Sequence, residues 1–346
     1  MFARFGAALL AVASMHGAIA AEPVKYIRNV RNAEDLAWLP GTDWVISSGL
    51  QTPGSQESGH LYLINAASGE AEAVYPAEGA NNPNGALSST CNPPATFSAH
   101  GVGLRLGLNG QHELYVVNDN LATISTIELF TIEETAEKPR ISWRSCVAMP
   151  AHTFANDVVA IPGGGFAVTS IIDPADKDYI RELEKGKNTG YVLEWHAGSG
   201  FVKVPGSDTS GTNGIEIDRD GRYFFIGAWG SSEVVRISRG RTPVQRVAVN
   251  VGMRPDNPAW TWDGRLIVAG QVDSVKSVFG SFLGSEEFSP SPYKVVELDP
   301  RTMKVKLLIS ESNTAIFSGA TTPILVKDEL WVGSVRNNRI IRYPFK

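Results

Sequence analysis

Short apolar runs alternate with polar turn residues along most of this chain. Trp44-Val45-Ile46, Leu114-Tyr115-Val116-Val117 and Leu266-Ile267-Val268 are examples, and Gly, Asn, Asp or Pro residues stand between such runs. Runs of this length bounded by turn residues are typical of β-strands, because a helix needs a longer segment with a different period. The pattern therefore predicts an all-β protein.

The predicted strands form six units, and one small polar cluster precedes each unit. The clusters recur every 43 to 66 residues, close to the blade length of a β-propeller. They are Ala33-Glu34-Asp35-Leu36, Ala99-His100-Gly101, Ala155-Asn156-Asp157-Val158, Thr212-Asn213-Gly214-Ile215, Pro255-Asp256-Asn257-Pro258 and Phe317-Ser318-Gly319-Ala320. We predict a six-bladed β-propeller of four-stranded antiparallel blades, in which each cluster opens the innermost strand of its blade. The clusters then face one central channel.

The last unit contains too few strands for a complete blade. Residues 329–332 and 339–343 supply only part of it, whereas residues 24–28 form a strand without a unit of its own. We expect this N-terminal strand to complete the last blade and close the ring, because closure removes the exposed sheet edges that promote aggregation.

The first 20 residues have the pattern of a secretory signal peptide. Arg4 is followed by the apolar residues 7–13 and by Ala18-Ile19-Ala20, which fits a small-residue cleavage site. We predict cleavage after Ala20 and a single β-propeller domain over residues 21–346, located in the periplasm or outside the cell. No later segment is long and apolar enough to cross a bilayer, so we expect no membrane insertion.

Cysteine content, charge and missing motifs narrow the function. The two cysteines, Cys91 and Cys146, would meet an oxidising compartment, where a disulfide between them is the expected state and two buried free thiols are the alternative. A net charge of −5 without a basic run argues against nucleic-acid partners. The chain also lacks the G-x-S-x-G and H-E-x-x-H motifs. A small-molecule partner is left as the open class.

The clusters supply the oxygen ligands that calcium selects. Glu34 and Asp256 bring two negative charges, and Asn156, Asn213 and Asn257 bring neutral amide carbonyls. An Asn beside a strand can instead cap a turn through its own side chain. Because these five residues occupy the same phase of the repeat, we predict a calcium site in the channel.

Long connections interrupt the repeat. Residues 173–187 are heavily charged and have helical spacing, and residues 272–292 are rich in apolar side chains. Long connections on a rigid scaffold often bind ligands, and an apolar one favours a substrate with a hydrophobic part. We therefore assign Phe279 and Phe282 to substrate binding.

At these positions the chain resembles the paraoxonase and arylesterase branch of the six-bladed propellers, which also include the gluconolactonases. The similarity extends over nearly the whole chain after the signal. The strings that carry it are Glu34-Asp35-Leu36, His100-Gly101-Val102, Leu114-Tyr115-Val116-Val117-Asn118, Ser125-Thr126-Ile127-Glu128-Leu129-Phe130, Asn156-Asp157-Val158-Val159-Ala160, Asn213-Gly214-Ile215, Asp256-Asn257 and Gly319-Ala320-Thr321.

The resemblance implies two calcium ions. A catalytic ion at the bottom of the channel would be bound by Glu34, Asn156, Asn213, Asp256 and Asn257. A second, structural ion would be bound by Asp35, Asp157 and the backbone carbonyl of Val102. Two ions would explain why acidic and amide residues occur here as adjacent pairs.

The resemblance also implies hydrolysis of lactones and aryl esters, with a pair of histidines that activates water. His100 matches the first histidine, but Asp119 stands in place of the second and Gln271 in place of another channel histidine. One interpretation is that Asp119 accepts a ring proton of His100, fixes its tautomer and raises its basicity. The other is that hydrolysis by the usual route has been lost or replaced.

The expected function is calcium-dependent hydrolysis of lactones or of aryl and alkyl esters, with Ca²⁺ polarising the carbonyl and His100 activating water. One alternative keeps the metal but changes the reaction to an isomerase or lyase that stabilises an enolate, with His100 and Asp119 moving protons. Another is a non-enzymatic ligand-binding propeller. It ranks last, because such relatives generally lack the full set of Asn, Asp and Glu residues.

Overall fold

The structure of the protein, a computed structural model, describes residues 24–77, 79–81, 92–119, 124–284 and 290–345. The predicted signal peptide and Cys91 therefore lie outside the described residues. Within the described ranges the chain forms 24 β-strands and two short α-helices. No helix among these residues is long and apolar enough to span a membrane.

The strands are arranged in six sheets of four. The first strand along the chain is β1 (Lys25–Arg28). Blade one consists of β2 (Leu36–Trp38), β3 (Trp44–Gly49), β4 (His60–Asn65) and β5 (Ala71–Tyr75). Blade two consists of β6 (Ala99–Arg105), β7 (Gln111–Asn118), β8 (Thr126–Glu133) and β9 (Arg140–Ala148). Blade three consists of β10 (Ala155–Ala160), β11 (Phe166–Ser170), β12 (Tyr191–His196) and β13 (Gly200–Lys203).

The remaining three blades repeat this order. Blade four consists of β14 (Thr212–Ile217), β15 (Tyr223–Ala228), β16 (Glu233–Ser238) and β17 (Arg246–Asn250). Blade five consists of β18 (Arg254–Trp260), β19 (Leu266–Gln271), β20 (Tyr293–Leu298) and β21 (Val305–Glu311). Blade six consists of β22 (Ala320–Val326), β23 (Glu329–Ser334), β24 (Arg339–Pro344) and the N-terminal β1.

The first strand of each blade lies innermost, and the six innermost strands form a ring. Each of them contacts the innermost strand of the next blade, and β22 contacts β2. Strand β1 pairs antiparallel with β24, from Lys25 opposite Arg342 to Arg28 opposite Arg339. The predicted six-bladed β-propeller and its closure by the N-terminal strand are therefore confirmed.

The core lies between neighbouring blades, so both faces of a blade are buried. Val45 packs in a cluster shared with blade six, whereas the next residue, Ile46, packs in a cluster shared with blade two. In blade five, Leu266 packs toward blade four and Ile267 toward blade six. This burial on two sides explains why the strands are continuous apolar runs, since an outward face would have required polar residues at every second position.

Two helices cover one end of the channel. The helix α1 (Tyr179–Glu184) follows β11, and the helix α2 (Val275–Leu283) follows β19. The side chain of Ser274 caps α2 by accepting a hydrogen bond from the backbone of Ser277. The two helices pack on each other through a separate apolar cluster. The helix α1 belongs to the charged connection and α2 to the apolar one, and the two helices together form a roof above the starts of the innermost strands.

Candidate active site

A register break lies at the polar cluster of several innermost strands. In β10 the pairing with β11 is interrupted between Ala155 and Val158, so that Asn156 and Asp157 lie opposite Thr169 alone. The same break occurs at the clusters of β6, β14 and β18. In β22 it falls at Thr321 and Thr322, three residues after the position that the cluster Phe317-Ser318-Gly319-Ala320 predicts. Such β-bulges turn side chains away from the alternation of a regular strand. The paired residues can therefore serve different cavities.

The first residues of the pairs converge on one buried cavity under the roof. Its polar wall is formed by Glu34, His100, Asn156, Asn213 and Asp256. None of these residues is more than 6% exposed. The residues that follow Glu34 and Asn156 line a different cavity, which is bordered by the far ends of the innermost strands. The structure thus brings together five residues that span 222 positions of the sequence, from Glu34 to Asp256.

The side-chain amide groups around this cavity donate hydrogen bonds to neighbouring side chains and not into the cavity. Asn257 Nδ2 lies 2.8 Å from Glu34 Oε1, and Asn156 Nδ2 lies 3.2 Å from His100 Nε2. The side chain of Asn213 also donates to Asp256. As a result, four buried oxygens make no hydrogen bond with any described residue: Glu34 Oε2, Asn156 Oδ1, Asn213 Oδ1 and Asn257 Oδ1.

Unsatisfied buried acceptors are expensive. Three of these oxygens belong to residues that line the cavity, and the fourth belongs to Asn257, which is hydrogen-bonded to Glu34, so the group calls for a cation. Carboxylate and amide oxygens are hard ligands that suit Ca²⁺ and offer little to softer transition metals. In the described residues no group of three or more His, Cys, Asp and Glu side chains is arranged to hold a metal, so a metal site in this cavity would need the Asn amide oxygens as well. The residues present therefore fit the predicted calcium ion.

The electrostatics of the cavity also favour a bound cation. Burial raises the pKa of Asp256 to about 7. Burial, together with the negative charge of Asp256, also raises the pKa of Glu34 well above its usual value. Carboxylates crowded in a dry cavity resist ionisation, and a bound cation would reverse this effect.

His100 lies between the cavity and Asp119. Its Nδ1 atom is 3.3 Å from Asp119 Oδ2, without the alignment of a hydrogen bond, and its Nε2 atom is 3.9 Å from Glu34 Oε1. With the Asn156 amide oriented so that its nitrogen faces His100, the matching tautomer has an unprotonated Nε2 and a proton on Nδ1, on the side of Asp119. This arrangement leaves the basic nitrogen on the cavity side.

The predicted structural calcium site has a different character. Asp35 Oδ2 accepts a hydrogen bond from the backbone of Val102 at 2.8 Å, and Asp157 Oδ2 accepts one from Ile215 at 2.7 Å. The Oδ1 atom of each carboxylate accepts from the backbone of its own next residue. Backbone donors thus satisfy both carboxylates, which tie blade one to two and blade three to four. A structural ion at these residues and the Val102 carbonyl stays a prediction.

Apolar side chains close the cavity from above. Phe279 and Phe282 of α2 line it, and the Phe282 ring stacks on His100 with ring centroids 6.0 Å apart and planes at 29°. Arg336 is buried behind this contact and donates to the backbone carbonyl of Phe282. The structure therefore places both predicted substrate-binding residues beside the polar cluster, and it adds a buried arginine that sequence reasoning missed.

A second ring of residues lies between the polar cluster and the roof. Each member lies at the end of the second strand of its blade or directly after it. Four of them line the cavity or contact His100: Asp119, Ile171, Trp229 and Gln271. Val335 of blade six occupies the equivalent position. Asp119 and Gln271 were singled out from the sequence, whereas the apolar members were not. The sequence signal that could have identified them is their common position in the repeat, at the end of each second strand. The prediction relied on the polar clusters instead.

The disulfide prediction is not tested. Cys146 lies buried in β9, but its expected partner Cys91 is outside the described residues.

The fold and the site define a six-bladed β-propeller with an oxygen-lined channel and an apolar roof. The Arylesterase family model matches residues 18–337, so the chain belongs to this family. The resemblance found in the sequence is thereby confirmed. Membership in this family supports a hydrolase in general.

Solved structures confirm the fold. A gluconolactonase from Xanthomonas campestris is 12% identical, covers 94% of this chain and 91% of its own, and gives a TM-score of 0.56. A putative gluconolactonase is 13% identical, with 94% and 93% covered and a TM-score of 0.58. Virginiamycin B lyase from Staphylococcus aureus is 10% identical, with 94% and 99% covered and a TM-score of 0.50. No curated protein matches the chain significantly.

Proposed function

We propose that this protein is a calcium-dependent hydrolase of lactones or of aryl and alkyl esters. The observation that carries the proposal is the set of four unpartnered buried oxygens beside His100. Glu34, Asn156, Asn213, Asp256 and Asn257 would hold the ion. When bound, calcium would polarise the substrate carbonyl and stabilise the negative charge that develops on its oxygen.

The chain's own side chains would supply the proton transfer and the binding energy. His100 Nε2 would accept a proton from the attacking water once the Asn156 amide, which donates to that nitrogen in the structure, has released it. Asp119 beside Nδ1 would orient the ring and stabilise the imidazolium. Phe279, Phe282 and Trp229 would contact the acyl chain or aryl group, since burial of apolar surface favours binding. The N-terminal signal pattern supports the further proposal that this reaction takes place in the periplasm or outside the cell.

The test is hydrolysis of a panel of aliphatic lactones, aryl lactones and aryl esters by the purified protein. We expect turnover that a chelator abolishes and added calcium restores. Turnover that is insensitive to the chelator would contradict the role of calcium. Calcium binding without hydrolysis of any substrate would favour the second candidate given below.

A matched pair of variants tests the metal site. Asp256→Asn removes one of the two negative charges expected to hold the ion, so calcium affinity and turnover should both fall at least about tenfold. Asp263→Asn removes an acid from the exposed turn of the same blade and should behave like the wild type. Equal calcium affinity of the two variants would place the ion elsewhere.

The second candidate is a metal-dependent lyase or isomerase that uses the same residues. The fold is similar to that of virginiamycin B lyase, and the pairing of His100 with Asp119 suits proton transfer to and from carbon as well as activation of water. Product analysis in isotope-labelled water distinguishes the candidates. Hydrolysis incorporates solvent oxygen into the product, whereas a route through an enolate exchanges solvent deuterium at carbon.

A further inference from the structure

Gln271 makes three hydrogen bonds that join three blades. Its Nε2 atom lies 2.7 Å from Asp256 Oδ2 in blade five and 2.7 Å from the backbone carbonyl of Ala320 in blade six. Its Oε1 atom accepts a hydrogen bond of 2.8 Å from the indole nitrogen of Trp229 in blade four. Gln271 is only 1% exposed, so water has little access to this amide.

Trp229 and the Ala320 carbonyl together determine which way the Gln271 amide faces. An indole N–H is a donor only, so it must meet the oxygen of the amide and not the nitrogen. The NH₂ group of Gln271 then has to face Asp256. A free glutamine could present either end, and its oxygen would repel the carboxylate.

Trp229 is itself held firmly. It is 2% exposed, the Phe279 ring of the roof packs edge-on against it at 5.4 Å, and the Arg254 guanidinium lies 5.0 Å from its ring centre. The guanidinium also donates to the backbone carbonyl of Trp229. The indole therefore has a fixed orientation from which to direct the amide.

We infer that Gln271 is a positioning residue, oriented by Trp229, that holds the Asp256 carboxylate in the conformation that binds the cation. Gln271 occupies Oδ2 and fixes the carboxylate plane, so that one orientation of Asp256 is presented to the cavity. This inference rests on the proposed function for the ion. It adds that the apolar wall and the ion site are linked through one hydrogen-bonded chain, Trp229 to Gln271 to Asp256.

The test measures calcium affinity by calorimetry, independently of turnover. Gln271→Met keeps the length of the side chain but removes its amide, and we expect the Kd for calcium to rise about 10- to 100-fold. Trp229→Phe keeps an aromatic ring but removes the N–H group. We expect a smaller rise in Kd, because the Gln271 amide is still present and loses only one of the contacts that orient it. The double variant should bind calcium no more weakly than Gln271→Met, since Trp229 acts through Gln271.

Trp143→Phe is the matched control. The Trp143 indole is buried in the outermost strand of blade two and donates to Glu128 at 2.7 Å, so this variant loses an equivalent hydrogen bond outside the channel. It should keep the calcium Kd of the wild type. Wild-type Kd in both channel variants, or additive effects in the double variant, would overturn the inference. Failure of the wild type to bind calcium would instead reject the proposed function.

Discussion

At the scale of single residues, the proposed role of His100 depends on its neighbours Asn156 and Asp119. Asn156 donates to Nε2 of His100, and Asp119 lies beside Nδ1, so the two neighbours select the tautomer whose basic nitrogen faces the cavity. Residue identities alone left open whether Asp119 supports His100 or marks lost chemistry. The observed geometry favours support, because a carboxylate at Nδ1 stabilises the cation that a general base becomes.

The first prediction concerns this pair. His100→Gln and Asp119→Asn should each lower kcat by about 10²- to 10⁴-fold, because one removes the base and the other removes the group that orients it. Calcium affinity should change little, since neither residue belongs to the expected ligands. Steady-state kinetics and calorimetry on the same preparations check both statements.

His112→Gln provides the control for this prediction. His112 is also a buried histidine beside an acid, with its Nε2 atom 2.8 Å from Glu134 Oε1, but it does not line the cavity. Its replacement should leave kcat unchanged. Full activity of His100→Gln would disprove the assignment of the base.

At the scale of elements, the β-bulge is the feature that builds the site. A regular strand would point the adjacent residues of each pair to opposite neighbouring blades, as Val45 and Ile46 do. In β10 the bulge instead directs Asn156 and Asp157 to two cavities of the channel region, and at Gly214 the same bulge leaves room only for glycine, because the next blade approaches closely. A side chain at Gly214 would place its Cβ atom 2.5 Å from the Cα atom of Asn257.

Gly214→Ala should accordingly destabilise the protein. The clash involves backbone atoms of β18, which cannot move aside, so we expect the free energy of unfolding to fall by about 1–3 kcal/mol or more. Gly280→Ala is the control, because Gly280 lies in α2 with open space around it and alanine favours a helix. Urea unfolding of both variants in chelator would reveal the difference, and equal stability would show that the channel tolerates the added methyl group.

At the scale of the whole molecule, the ring depends on its N-terminal strand. β1 supplies the outermost strand of blade six, and Ile27 within it is completely buried against blades six and one. Without this strand, β24 would present an unpaired edge. The stability of the entire propeller is therefore linked to four residues that are remote in sequence from their partners.

Ile27→Ala tests the closure. Truncation of a fully buried isoleucine should cost about 2–5 kcal/mol and lower the melting temperature measurably. Val24→Ala alters an exposed residue just before the same strand and should have almost no effect. If thermal unfolding monitored by circular dichroism gives the same melting temperature for both variants, closure contributes little to stability.

Most of the architecture was accessible from the sequence, because a propeller repeats its pattern. Six recurring clusters predicted six blades, although the sixth lies three residues before the equivalent position, Thr321-Thr322. The surplus strand at residues 24–28 predicted closure. The polar residues of the cavity were accessible for the same reason. The apolar members of the second ring, such as Ile171 and Trp229, were not, because an apolar residue at the end of a strand looks the same whether it lies in a core or lines a site.

The sequence by itself determined the repeat, the number of blades and the oxygen-rich chemistry of the channel, because these depend on residue type and spacing. Only the tertiary structure decided the directions of hydrogen bonds: which amides donate to neighbouring side chains, which oxygens are left without donors, and which nitrogen of His100 faces Asn156. Those directions depend on contacts between blades, such as Trp229 with Gln271. No local pattern encodes them, since the partners meet only when the ring is closed.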